Sequence, residues 1–416
     1  MKKRESYALD AIFILTCINI FYIALYFEVN RYLPPPFFHD KQDTFMDFYN
    51  TMYWAGHEGI YDVWNSIYPP INFIILKIYQ FLFMGEVAHD LDGFAIRGQD
   101  NITPLLFIYI ISLIIAIEIS YSSIVDLKRK FIIIITFLFS PPFLFALERG
   151  NLIILCLPVV SWLLFSKNKI SRSLALALLI NLKPYFFIFY IIQLLNVKSH
   201  QENKEFLFLS PVFSLILFLV TGLILNQEFY LIPVNILGFA ANSAILSPEN
   251  VLSFPSSIAS FSHLRGLASE FRLPPILGYL AHLVVWIYLI KTILLIYKKN
   301  ISFEDLFIFS IIFLTNYSTS TGGYGLLYYI PTLPLFYKQK DWVLLITIVI
   351  CIYIGIWDLI PIFQYNGDST RVFLSGEMVK IEPFISLGSI IRPIANFAVL
   401  VLFFKNLEKR YLDAYI

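Results

Sequence analysis

The chain has 416 residues, of which 58% are hydrophobic and only 14% charged, and its formal net charge is +1. With a strongly positive mean hydropathy, that balance excludes a soluble globular domain and predicts an all-α polytopic membrane protein. Basic residues are scattered between apolar runs and form no single face, which excludes nucleic acid as a partner.

At the N-terminus MKKR precedes an apolar run from Ala11 to Phe27 with no small-residue cleavage site after it. This reads as a retained first helix with its basic end in the cytoplasm. Further apolar runs fall near 102–124, 131–147, 151–166, 173–195, 207–226, 276–297, 305–321, 324–337, 342–360 and 384–404, with a shorter one at 71–84. If every run crossed once, Lys128-Arg129-Lys130 and the cluster Lys167, Lys169, Arg172 would lie outside, against the positive-inside rule. Both faults vanish if 71–84 does not cross and the run 173–195 breaks at Lys183-Pro184 into two half-spans, because proline interrupts the helical ladder there. The expectation is therefore about twelve crossings, with both termini cytoplasmic.

Three segments then collect outside: 29–101, 227–275 and 361–383. The turns at Glu148-Arg149-Gly150-Asn151, at Lys183-Pro184 and at TSTGGYG join that face. The chain divides accordingly into 1–226, a transmembrane module carrying the first outer loop, and 227–416, the later outer loop with the C-terminal helices.

In the first outer loop, helical spacing puts Phe45, Phe48, Tyr49 and Met52 on one side and Asp43, Asp47, Asn50 and His57 on the other. This predicts a helix lying in the outer interface, apolar side down. Asp43 and Asp47 are read either as a solvated face or as a general base at the water-to-lipid boundary. Arg149 and Lys183 are costly near lipid unless paired or facing a cavity, and Glu148 is a candidate to neutralise Arg149. With Arg265, His263 and Arg272 they form a converging cationic set suited to phosphate. The stretch NYSTSTGGYGLLYYIPTLP, Asn316 to Pro334, offers glycines at a helix break and tyrosine faces for a sugar; an interfacial aromatic belt is the competing reading. Six histidines without H-x-x-x-H or similar spacing point to no metal. Cys17, Cys156 and Cys351 stand singly in apolar runs and read as buried free thiols.

Taken in order, Asp47-Phe48, Tyr53, Gly59, Tyr61-Asp62 and Tyr68-Pro69-Pro70, then Gly150-Asn151, Lys183-Pro184 and the segment Ser253 to Arg265, resemble the GT-C superfamily of integral-membrane glycosyltransferases, most closely glycosyltransferase family 87, the polyprenyl-phosphate-mannose-dependent type. The family's Ser-Pro-x-Trp-x-His segment has no counterpart in Ser318 to Tyr324, where Tyr324 stands in the place of the histidine. The resemblance implies a GT-C fold with juxtamembrane helices in the first outer loop. It also implies an inverting, cofactor- and metal-independent transfer from a polyprenyl-phosphate-linked sugar to a lipid or glycan acceptor. Asp47 would be the base, with Asp43 and Glu148 as second-choice carboxylates. Lys183, Arg265 and Arg149 would hold the donor phosphate, and Tyr68, Asn151, His263 and Tyr324 would line the substrate. The abundance of isoleucine, lysine and asparagine points to an AT-rich bacterial genome, hence to the bacterial inner membrane. A polymerase or ligase using a diphosphate-linked glycan, and a transporter, are the competing readings.

Overall fold

The computed structural model describes residues 3–34, 37, 43–85, 91–123, 125–243, 274–317, 323–339, 341–353, 360–364, 369–372, 378–381 and 384–411. In chain order its α-helices are α1 (Lys3–Asn30), α2 (Met46–Ala55), α3 (Pro70–Phe83), α4 (Gly93–Gln99), α5 (Thr103–Tyr121) and α6 (Leu127–Leu138). There follow α7 (Pro141–Arg149), α8 (Cys156–Phe165), α9 (Lys169–Leu182), α10 (Phe187–Leu195), α11 (His200–Leu225) and α12 (Ile232–Ser243). The last five are α13 (Pro275–Lys298), α14 (Phe303–Tyr317), α15 (Leu333–Gln339), α16 (Trp342–Tyr353) and α17 (Gly388–Tyr411).

The boundaries have local causes. Asp92, Asp126 and Asn168 cap α4, α6 and α9 by accepting from amides in the first turn. Pro70 opens α3 at its first position, where its missing N–H costs nothing. At 14 residues, α3 is about 21 Å long, short of a hydrocarbon core of about 30 Å. Among the described residues four helices are long and apolar enough to cross a membrane: Phe13–Asn30, Thr103–Tyr121, Asn203–Leu225 and Ile390–Tyr411. The bent pair α6 and α7, 58° apart, makes a fifth if taken as one span. Only 11% of the first window and 17% of the third are covered by protein. Phe21 and Leu223, 67% and 72% exposed, would be costly in water and are at home in lipid. These are the dimensions of a helical membrane protein.

Two sequence expectations differ from what is observed. The segment expected as an outer loop near 361–383 holds two antiparallel ladders, β1 (Pro361–Gln364) with β4 (Phe384–Ser386) and β2 (Ser369–Val372) with β3 (Met378–Ile381), so the chain is not wholly α. Their β-branched and aromatic residues suit a pleated ladder. Cys156 and Cys351 are buried free thiols, but Cys17 is exposed on α1.

The chain separates into two compact units interleaved in sequence. One comprises residues 1–44, 120–145 and 246–416. There α17 packs on α13, α14 and α16, and its Asn396 side chain joins Thr315 and Tyr329 in a fully buried hydrogen-bonded set. Asp305, 1% exposed, accepts from Arg410 at 2.9 Å and from the Tyr411 hydroxyl at 3.0 Å, which ties the last turn of α17 to the first of α14.

The other unit comprises residues 45–119 and 146–245. Phe48, Tyr49 and Met52 of α2 are each at most 2% exposed. The predicted amphipathic helix is present, but its apolar side is buried on α3 and α4 instead of facing a bilayer. One carboxylate stitches these helices together: Asp100, at the end of α4, accepts from Tyr49 at 2.6 Å and from Tyr79 of α3 at 2.9 Å. Asp100→Ala removes both bonds and takes the carboxylate acceptor from two phenolic hydroxyls. It is expected to destabilise the protein by about 2–4 kcal/mol, read as a lowered thermal midpoint of the purified protein in detergent.

Candidate active site

The start of α2 is fixed by main chain from a distant part of the sequence. Phe45, just before the helix, has φ 65°, and its amide donates to the Glu148 carbonyl at 2.6 Å. Gly150 also has φ 65°, and a Cβ there would stand 2.9 Å from Phe48 Cβ and 3.0 Å from the Phe45 carbonyl oxygen. Only glycine lets this turn lie so close against α2. Tyr109 of α5 pins the turn from behind, donating its hydroxyl to the Gly150 carbonyl at 2.8 Å.

The neighbours of Gly150 then meet Asp47. Arg149 Nη2 donates to Asp47 Oδ1 at 2.6 Å, and Asn151 Nδ2 donates to Oδ2 at 2.9 Å. Asn151 is held at its other end as well, its Oδ1 accepting the Ile153 amide at 3.0 Å. Two donors on two oxygens fix the plane of the carboxylate and leave it lone pairs for a further proton or hydroxyl. The Asp47 side chain is 28% exposed and that of Arg149 10%, so the carboxylate stays reachable while its cation is largely covered.

The break at Lys183-Pro184 supplies the opposite charge. α9 ends at Leu182, and Lys183 is extended, as a residue before proline should be. Asn72, from the first turn of α3, donates its side-chain amide to the carbonyls of Asn181 and Leu182, both at 3.2 Å, and so satisfies groups that the break leaves open. Lys183 itself is 7% exposed, with Nζ 4.4 Å from the centroid of the Tyr68 ring. Burial pulls its amine down to about 8, opposed by Cys156 and by the carboxylate of Asp47. Burial, with the field of Asp47, pushes the Tyr68 hydroxyl upward, while Arg149 opposes.

Asp47, Arg149, Asn151, Tyr68 and Lys183, all singled out in sequence, thus come together in one unit from four separate segments. Arg149, expected at a phosphate, donates to Asp47 here. Glu148 is 7% exposed and contributes its carbonyl to the Phe45 turn. Asp43 is half-buried and belongs to the other unit. Arg265, His263 and Arg272 lie outside the described residues, as does the side chain of Tyr324, whose backbone is in a 3₁₀ helix from Gly323 to Thr332. Among the described residues no three of His, Cys, Asp and Glu gather in a set able to hold a metal. Tyr109 and Asn72 were not foreseen. Tyr109 gives no sign within its apolar run, whereas Asn72 is an amide two residues after Pro70.

No protein-family model, curated protein or solved structure matches this chain. The chemistry must be read from the cluster itself. A fixed, reachable carboxylate accepts a proton from a hydroxyl, and a desolvated ammonium in the field of that carboxylate attracts an anion.

The lysine has a measurable cost. Between pH 8 and its ordinary value near 10.5, the unfolded chain binds a proton that the folded chain does not, so this group opposes folding at neutral pH and its penalty is relieved as pH rises through that window. Lys183→Met is expected to raise stability at pH 7 by about 1–3 kcal/mol. The gain should shrink as pH rises toward 10.5; unfolding of both proteins in detergent across this range measures it.

Proposed function

We propose that this chain is a GT-C-type integral-membrane glycosyltransferase that moves a sugar from a polyprenyl-phosphate donor to a hydroxyl of a lipid or glycan acceptor. The reaction takes place on the extracytoplasmic face of a bacterial inner membrane, with inversion at the anomeric carbon. The observation that supports this reading is the meeting of a clamped, accessible carboxylate with a desolvated lysine in a protein built of apolar helices. The order of short motifs shared with glycosyltransferase family 87 points the same way.

In this mechanism Asp47 takes the proton of the acceptor hydroxyl as its oxygen attacks the anomeric carbon. The bond from that carbon to the phosphate oxygen breaks, and polyprenyl phosphate leaves with the electron pair. Lys183 faces the charge that develops on the leaving phosphate, and Tyr68 holds the lysine in place. Arg149 and Asn151 keep the base aligned. Phosphate is already a competent leaving group, so positioning, a base and charge stabilisation are what the protein has to add.

The test is transfer of radiolabelled sugar in membranes supplied with a panel of polyprenyl-phosphate sugars. Asp47→Asn keeps the size of the side chain but removes the base, and its amide can accept from only one of the two donors, Arg149 and Asn151. It is expected to lower transfer by about 10²–10⁴-fold at equal expression. Full activity in that variant would sink the assignment of Asp47. Activity with a diphosphate-linked oligosaccharide, and with no monophosphate donor, would move the protein to the polymerase or ligase class.

A further inference from the structure

Two turns beyond Asp47, the same face of α2 carries Trp54, seven residues on and therefore about 10 Å further along the axis. Trp54 lies nearly parallel to Trp64, with centroids 6.3 Å apart and planes at 14°. Tyr53 meets Trp64 edge-on at 5.7 Å, and the His57 ring lies 4.2 Å from Tyr53. All four rings are half-buried, so each keeps accessible surface.

Folding alone gives no reason to hold these rings at the surface, yet the loop that presents them is firmly built. Gln227 accepts the amides of Gly59 and Ile60, each at 3.1 Å, and donates to the His57 carbonyl at 2.9 Å. Asn235 donates to the carbonyls of Tyr61 at 2.8 Å and Ser66 at 3.1 Å. Gly59 has φ 94°, and a Cβ there would come within 2.8 Å of Val63, so the turn is available only to glycine. A loop fixed at this many points has its ordering cost met before any ligand arrives.

Charge selects the ligand. Across the segment that carries the rings, residues 53 to 64, the sequence has two carboxylates, Glu58 and Asp62, and no lysine or arginine. Glu58 and Asp62 are exposed beside the rings. Anionic lipid headgroups are repelled by such a rim, since a juxtamembrane lipid site needs basic residues. A neutral polyhydroxylated ring suits it: its C–H face lies on the electron-rich face of an indole, and its hydroxyls donate to the carboxylates.

We propose that Tyr53, Trp54, His57 and Trp64 form a stacking subsite for a sugar ring of the acceptor glycan. The ring it holds is set back from the hydroxyl that Asp47 deprotonates by about 10 Å, the span of a disaccharide. The role as acceptor subsite rests on the glycosyltransferase reading; the binding of a saccharide does not.

The experiment uses the full chain in nanodiscs of zwitterionic lipid, titrated with a panel of neutral tri- and tetrasaccharides of different configuration and followed by saturation-transfer NMR. At least one saccharide is expected to bind the wild type. Trp64→Ala should weaken that binding by about tenfold or more, and Trp64→Phe, which keeps a stacking face, should retain most of it. Saccharide binding of this pattern without transfer from any donor would refute the enzyme and leave the subsite standing. Absence of binding by every saccharide, or unchanged binding in Trp64→Ala, would overturn the subsite. Strong quenching of Trp54 and Trp64 emission by brominated lipid would likewise overturn it and assign the rings to the bilayer interface.

Discussion

The candidate site depends on one close approach of main chain to main chain. The turn at 148–151 can lie against the start of α2 because Gly150 has no Cβ to collide with Phe48 and Phe45. Arg149 and Asn151 flank that glycine and reach the Asp47 carboxylate from either side of it. The backbone contact, with Tyr109 behind it, therefore sets where the two side chains that clamp the carboxylate start. Such geometry is costly to lose and well suited to holding a reactive group within a fraction of an ångström.

Charge and broken helix are managed together in this unit. Interrupting α9 at Lys183-Pro184 exposes carbonyl groups in apolar surroundings, where each open group is expensive. Asn72 closes two of them with one side-chain amide. The lysine carried by the break has an aromatic face beside it and the field of Asp47 to keep part of its charge. In the other unit, Asp305 and the set formed by Thr315, Tyr329 and Asn396 tie helix to helix through side-chain hydrogen bonds. The contrast is informative: buried polar groups there lock helices, whereas the Asp47 carboxylate, though clamped, stays reachable.

Much of this was legible in the sequence. The proline-marked break at Lys183, the helix start at Pro69-Pro70, the short α3 and the apolar spans each follow from a local rule that one or two residues carry. The grouping of Asp47, Arg149, Asn151, Tyr68 and Lys183 was foreseen as residues on one face, but not their pairing. Glu148 looked like the partner of Arg149 because it is adjacent in sequence. The actual partner is more than a hundred positions earlier, chosen by the fold. The burial of the apolar side of α2 was also hidden, because periodicity shows that a face is apolar and does not show what covers it. Tyr109 and Asp100 carry no pattern at all, since a hydroxyl or carboxylate acquires its role only when tertiary structure brings distant backbone or side chains to it.

The interleaving of the two units has a consequence for biogenesis. A chain made from its N-terminus presents residues 45–119 and 146–245 before residues 246–416, so the unit that carries Asp47 and Lys183 has all its parts before the other does. The other unit holds residues from 1–44 and 120–145 but cannot close until α17 arrives to pack on α13, α14 and α16. Its early helices are made well before the helices that cover them. Synthesis order thus completes the unit with Asp47 and Lys183 first and leaves the other as the one open longest to the quality-control machinery of the membrane.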